Sequence, residues 1–188
     1  MQTGKPNSGF GAGAAAASAP DPKALETALN QCTDAESFCG VLAKVFKVRR
    51  TEVALLQLEK GLLRFLFPEE LKTAGSIPVS SATAVAAHTA VTKKVELFNS
   101  FTKVKHASIF ETVKLGSTAD QPDPGEHAPI QKLMSAPILS EEGKVLGVLQ
   151  VCRKGLDHNL AGADFTLDHL QNLEAAAKVA AKAAFLKR

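Results

Sequence analysis

Three cysteines, five histidines and one lysine-rich stretch carry most of the reactive chemistry in this sequence. Cys152 is followed by Arg153 and Lys154, two cations able to lower a thiol pKa and favour the nucleophilic thiolate. The competing reading is an inert small hydrophobe buried in an apolar run. Cys32 and Cys39 lack CxxC spacing, and an odd thiol count fits a reduced set better than a disulfide framework. The histidines, His88, His106, His127, His158 and His169, are scattered without metal-ligand spacing. No Ser-His-Asp order and no glycine-rich phosphate loop is present. His106 has the most suggestive surroundings. With Phe98, Asn99, Ser100, Ile109 and Phe110 it supplies an imidazole, an amide, a hydroxyl and apolar groups, the mixture from which small-ligand sites are built. A half-buried histidine packed by ordinary core phenylalanines is the alternative. Haem ligation by His106 is a narrower option, and the residues specify no cofactor.

Lys93, Lys94, Lys103, Lys105 and Lys114 against Glu96 and Glu111 give a net +3 between Thr92 and Leu115, equal to the net charge of the whole chain. Such a run draws an anionic ligand or an acidic protein surface, or is simply a solvated helix face. With 22 basic and 19 acidic residues the chain lacks the basic excess of a dedicated nucleic-acid binder. It has ten Phe but no Trp or Tyr, so large amphipathic rings for stacking bases or sugars are missing. No apolar run approaches the roughly 20 residues that span a bilayer. The expectation is a soluble cytoplasmic protein with no membrane or nucleic-acid partner.

The 188 residues amount to one domain and a tail. In residues 1–20, 14 are Gly, Ala, Ser or Pro, too little apolar surface to offset ordering entropy, so a disordered tail is expected there and a single domain over 21–188. A secretory signal is disfavoured because the stretch Ala12 to Ala19 has no Leu, Ile or Val. Asp21-Pro22 opens a first helix carrying Leu25, Leu29 and Cys32. Thr33 and Glu36 form a capping box for a second, with Phe38, Val41, Leu42, Val45 and Phe46 on one stripe. Glu52 to Leu58 and Leu62 to Phe67 read as strands about a Lys60-Gly61 turn. Ile77 to Val79 is a third strand, Ser80 and Ser81 cap a helix through Thr92, and Val95 to Phe98 is a fourth strand. A helix is expected over Lys103 to Leu115 and a loop over Gly116 to Pro129. Leu133 to Leu139 and Lys144 to Cys152 form a second hairpin. Thr166 caps a long final helix running from Leu167 to near the C-terminus, with Phe165 and Leu170 as a staple. Two stripes run along that helix. Leu170, Leu173, Ala177, Ala180 and Ala184 form one, and Ala176, Val179, Ala183 and Leu186 the other, so one can pack on the domain while another meets a partner helix.

Ser135-Ala136-Pro137-Ile138, a turn ending at Gly143, and Lys144-Val145-Leu146-Gly147-Val148-Leu149-Gln150-Val151 are similar to the end of a GAF domain. The run continues as Cys152-Arg153-Lys154-Gly155 and Asp164-Phe165-Thr166-Leu167-Asp168-His169, and the resemblance reaches back weakly to Leu25. It implies an α+β, GAF/PAS-like fold: a central six-stranded antiparallel sheet, terminal helices on one side, short helices and loops on the other, and a pocket between the sheet and the middle helices. Lys154, Phe165 and Asp168 match the pattern of cyclic-nucleotide-binding members, whereas Arg153 and His169 depart from its Asn and Glu. Lys154 and Asp168 are expected to pair across the loop while Phe165 plugs the core, a structural tie. The resulting expectation is a non-enzymatic sensory or regulatory module. It binds a small ligand or a signalling protein partner and acts through its terminal helices as a homodimer. A ligand-free dimerisation adaptor and a thiol-dependent enzyme of the free methionine sulfoxide reductase type are the alternatives.

Overall fold

A computed structural model describes residues 21–101 and 128–186. Six strands form one antiparallel sheet: β1 (Val53–Glu59), β2 (Leu62–Phe67), β3 (Ser76–Pro78), β4 (Glu96–Phe98), β5 (Ile130–Leu139) and β6 (Val145–Lys154), in the order β3-β2-β1-β6-β5-β4. Helices α1 (Pro22–Asn30), α2 (Ala35–Phe46) and α4 (Leu167–Ala180) cover one face, and α3 (Val85–Thr92) covers the other. The expected α+β architecture is therefore present. The tail over residues 1–20, the expected helix at Lys103 to Leu115 and most of the following loop lie outside the described residues.

The β1–β2 turn forms as the sequence implies. Lys60 and Gly61 both adopt positive φ, 50° and 78°, the geometry of a two-residue hairpin turn that suits the twist of the flanking strands. Central strands β5 and β6 are buried on both faces, which explains why they read as apolar runs without alternation. Gly147 permits a close approach of β6 to β1. A Cβ there would stand 2.1 Å from the Leu56 carbonyl oxygen of β1.

Alternation along β6 sends Leu149 and Val151 into the helical layer, among Phe38, Leu42, Phe46, Leu173 and Ala177. It sends Val148 and Cys152 into the α3 layer, with Ala54, Leu56, Phe65, Ala87 and Ala90.

Two caps differ from the expectation. The α2 N-cap is Asp34, whose carboxylate accepts the Ser37 N–H at 2.7 Å, while Glu36 turns away to pair with Arg50 at 2.6 Å. Asp is as good an N-cap as Thr and stands next to the helix start. Helix α3 begins at Val85 after Ala84, not at the two serines. Thr166 does cap α4, and its partner in the capping box is His169.

Helix α4 places most of the residues expected at a dimer surface inside the chain's own core. Leu173, Ala177 and Ala180 are at most 1% exposed and Leu170 is partly buried, all in the chain's own core. The second stripe is covered too, because Ala176 and Val179 are buried in the same cluster. The helix packs against β5 and against α1, while Ala183 is partly exposed and Ala184 is exposed. The α-helix stops at Ala180, and a 3-10 turn over Ala184–Leu186 takes Ala184 off its axis. Leu186 then returns to the core, and its carbonyl accepts a hydrogen bond from the Gln57 amide at 3.1 Å.

Candidate functional site

The α3 side of the sheet carries a polar chain inside an apolar surround. Helix α3 supplies His88 and Thr89, β4 supplies Glu96, β5 Ser135 and β6 Gln150. Strand alternation puts Ser135 and Gln150 on the same face as Leu133 and Cys152. The Thr89 hydroxyl donates to Glu96 Oε2 at 2.6 Å. A hydroxyl has one hydrogen, so the 2.7 Å contact between Thr89 and Ser135 must then be donated by Ser135. Ser135 in turn accepts from Gln150 Nε2 at 3.2 Å. The donors thus run in one direction, from Gln150 through two hydroxyls to the carboxylate. His88 Nδ1 contacts the other oxygen of Glu96 at 2.8 Å. Thr89 and Ser135 are fully buried, where a half-satisfied network would be costly and a satisfied one rigidifies.

Of the six pocket candidates, Phe98, Asn99 and Ser100 are described, while His106, Ile109 and Phe110 lie outside the described residues. Phe98 is half-buried at the end of β4 and meets Phe101 edge-on, with ring centroids 6.1 Å apart. Asn99 has a structural task. Its amide donates to the Phe165 carbonyl and its oxygen accepts the Phe165 N–H, both at 2.9 Å, which fastens the loop before α4 to the end of β4. Ser100 is exposed.

Among the described residues no ion pair joins Lys154 to Asp168. Asp168 is exposed in the first turn of α4, where a carboxylate complements the helix dipole. Lys154 is buried, and its backbone N–H donates to Glu52 Oε1 at 2.6 Å. The loop is tied instead by Lys132, whose ammonium is buried and reaches Asp164 Oδ1 at 2.7 Å and the Gly162 carbonyl at 2.5 Å. The hydrogen bond from Lys132 holds the Asp164 carboxyl below its usual range. Phe165 does plug the core, 2% exposed.

Arg153, read in the sequence as a cation beside Cys152 and as a departure from a pattern, links three elements. Its guanidinium donates to the Phe46 carbonyl at the C-terminus of α2 at 3.1 Å and lies 4.7 Å over the Phe165 ring. A cation there meets the negative end of a helix dipole. His169, the other departure, uses Nδ1 to accept the Thr166 N–H at 3.0 Å. Burial, and then the Arg153 charge, push its pKa below the ordinary histidine value. The spacing of Thr166 and His169 was the available signal, since an acceptor three residues after a Thr makes a capping box. Glu52 had no such signal. It is a buried carboxylate that accepts from Lys154 N and from Arg49 N, the latter at 2.7 Å.

No disulfide joins the three cysteines. Cys32 and Cys39 belong to the helical layer, and burial raises the Cys39 pKa. Cys152 is buried on the opposite face of the sheet. No grouping of three or more His, Cys, Asp or Glu among the described residues is placed to hold a metal. No helix among them is long and apolar enough to cross a membrane.

A family model described as a leucine-rich repeat domain matches residues 27–188. No curated protein matches the sequence. Solved structures with the same fold include the GAF domain of an Acinetobacter phosphoenolpyruvate-protein phosphotransferase, at 13% identity and a TM-score of 0.60, covering 86% of this chain and 88% of that one. The nlh2 GAF domain of A. aeolicus in an inactive state aligns at 12% identity and a TM-score of 0.57, over 88% and 93% of the two chains. Free methionine-R-sulfoxide reductase from Neisseria meningitidis, in complex with its substrate, aligns at 16% identity and 0.55, over 86% and 84%. Leucine-rich repeats stack parallel strand-and-helix units of 20–29 residues, and the described residues instead form a single antiparallel sheet. The chain therefore belongs to the family whose model bears the leucine-rich repeat description, and its fold is that of a GAF domain.

Proposed function

We propose that this chain is a non-catalytic, GAF-type binding module whose ligand face is the α3 side of the sheet. The observation that carries this reading is the distribution of its thiols. A thiol that reduces a sulfoxide is left as a sulfenic acid, which a second thiol resolves as a disulfide. Cys152 is the one cysteine on the α3 side, and Cys32 and Cys39 lie beyond the sheet in the helical layer. A disulfide between the two groups would require the sheet to open. A few polar groups in apolar surroundings are what orient a small ligand, and the chain from Gln150 to Glu96 provides them.

Strand β6 offers a route for the output. Gln150 faces α3, while Val151 faces the helical layer and Arg153 holds the end of α2. A ligand that prefers one position of α3 would shift β6 and with it the terminal helices, in proportion to its differential affinity. Native mass spectrometry of the purified full chain tests the binding reading. A retained or added small molecule at one per chain supports it, and a bare chain across a broad metabolite set argues for the adaptor.

A thiol-dependent reductase is the second reading, favoured by Cys152 standing on the α3 face and by reductases among proteins of this fold. It is tested by turnover of free methionine sulfoxide with a dithiol reductant. Activity lost in Cys152→Ser would replace the first reading.

A further inference from the structure

We propose a second binding site, for an amphipathic monocarboxylic acid with a long apolar chain, in the groove between α4 and the β5–β6 hairpin. It is independent of the α3-side reading. The groove has a volume of about 1070 Å³. Its floor is Val95, Pro137, Leu139, Leu146 and Ala181, and three of these, Val95, Leu146 and Ala181, lie only partly buried against the helical core. Covering them with a hydrocarbon chain removes apolar surface from water.

The walls decide the head group. Lys93 and Lys94 stand at the turn from α3 to β4, Lys178 lies in the last turn of α4, and Lys182 follows just beyond its end. Lys178 is engaged by Glu174 at 3.0 Å, and Lys93 donates to the Gly143 carbonyl at 2.8 Å. The ammonium groups of Lys94 and Lys182 make no ion pair or hydrogen bond with the described residues, Lys182 using only its backbone N–H, which donates to the Val179 carbonyl. Glu141 and Glu142 line the hairpin wall, and the Ser140 hydroxyl holds the Glu142 carboxyl below its usual range, so it stays ionised. Four lysines against three glutamates leave a single positive charge to match. A polyanion would be repelled by the hairpin carboxylates, and a neutral chain would bury two ammonium groups without a partner. One carboxylate on an apolar tail satisfies both the floor and the free lysines.

The test uses the full chain and dodecanoate below its micelle concentration, followed by titration calorimetry and by backbone amide shifts. One saturable site is expected, with shifts at Val95, Leu146 and Ala181. The double variant Lys94→Glu, Lys182→Glu should bind roughly tenfold more weakly, because both head-group partners are reversed. Both lysines are exposed, so the variant keeps its fold, and an unchanged melting curve checks this. Dodecyltrimethylammonium should bind more weakly still. The proposal is overturned by an absence of saturable binding or by equal affinity in the double variant. It is equally overturned by equal affinity for the cationic surfactant, or by shifts confined to Ala54 and Cys152 on the α3 side. Success with dodecanoate and failure of every ligand on the α3 face would separate this site from the function proposed above.

Discussion

The two faces of the sheet are built on different principles. On the helical side, Leu25, Leu29, Phe38, Leu42, Phe46, Leu173 and Ala177 meet Leu55, Leu149 and Val151 in a large apolar layer, and the charged groups Arg153 and Lys132 sit at its margin. On the α3 side the apolar cluster is smaller and encloses the polar chain from Gln150 to Glu96. Non-directional burial scales with area, whereas a hydrogen-bond chain depends on every member holding its place. The helical face is therefore assigned to stability, and the α3 face to a defined geometry of α3 against the sheet.

The largest test of that division is Phe38→Ala. The ring is fully buried and meets Phe185 edge-on at 5.6 Å, so its loss should cost about 3–5 kcal/mol in urea unfolding. A cost near zero would mean that the helical layer does not govern global stability. Next in size, Thr89→Val keeps the shape of the side chain but removes the central hydroxyl. It should cost about 1–3 kcal/mol by leaving Ser135 and Glu96 short of partners. Combined with Ser135→Ala in a double-mutant cycle, the two losses should be less than additive, because both break one chain. Strict additivity would show that the hydroxyls act separately.

The smallest expected effect is a pH dependence on the helical side. The folded pKa of His169 is depressed, so the unfolded chain takes up the proton first as pH falls. The neutral cap therefore contributes fully above the ordinary histidine value of 6.5, and its contribution is lost as pH falls through the lowered folded value. The ring is partly exposed, so solvent screening keeps the change below about 1 kcal/mol. His169→Gln retains an acceptor for the capping box and should flatten stability across that range. Arg153→Met should move the His169 titration, followed by NMR, upward toward the ordinary value. An unmoved titration would remove Arg153 as a contributor.

Elements with strong local signals were legible before the fold was known. Lys60-Gly61 announced the first hairpin, Thr166 announced the start of α4, and the Pro137 to Gln150 stretch announced the second hairpin and the resemblance to GAF domains. Residues whose role depends on distant partners were not. Asn99 and Phe165 are 66 positions apart, and Glu52 and Lys154 are 102 apart. The Lys154–Asp168 expectation failed for a related reason. Both residues flank the correct loop, but the path of that loop brings Asp164 to Lys132. The groove was half visible, since Lys93 and Lys94 stood out as charges while no spacing in the sequence set Lys178 and Lys182 beside them.

Composition, periodicity and turn chemistry by themselves determined the element types, the antiparallel hairpins and the α+β class, because these follow from interactions within a few residues. Only the tertiary structure decided what the two stripes of α4 face. Small residues at helical spacing look alike whether they meet a partner chain or the chain's own sheet, and the packing of α4 against both β5 and α1 buries most of both stripes inside one molecule. The placement of the thiols was decided in the same way. Sequence counts three cysteines, but which side of a sheet each occupies depends on register and on layer, and that separation is the basis for reading this chain as a binding module.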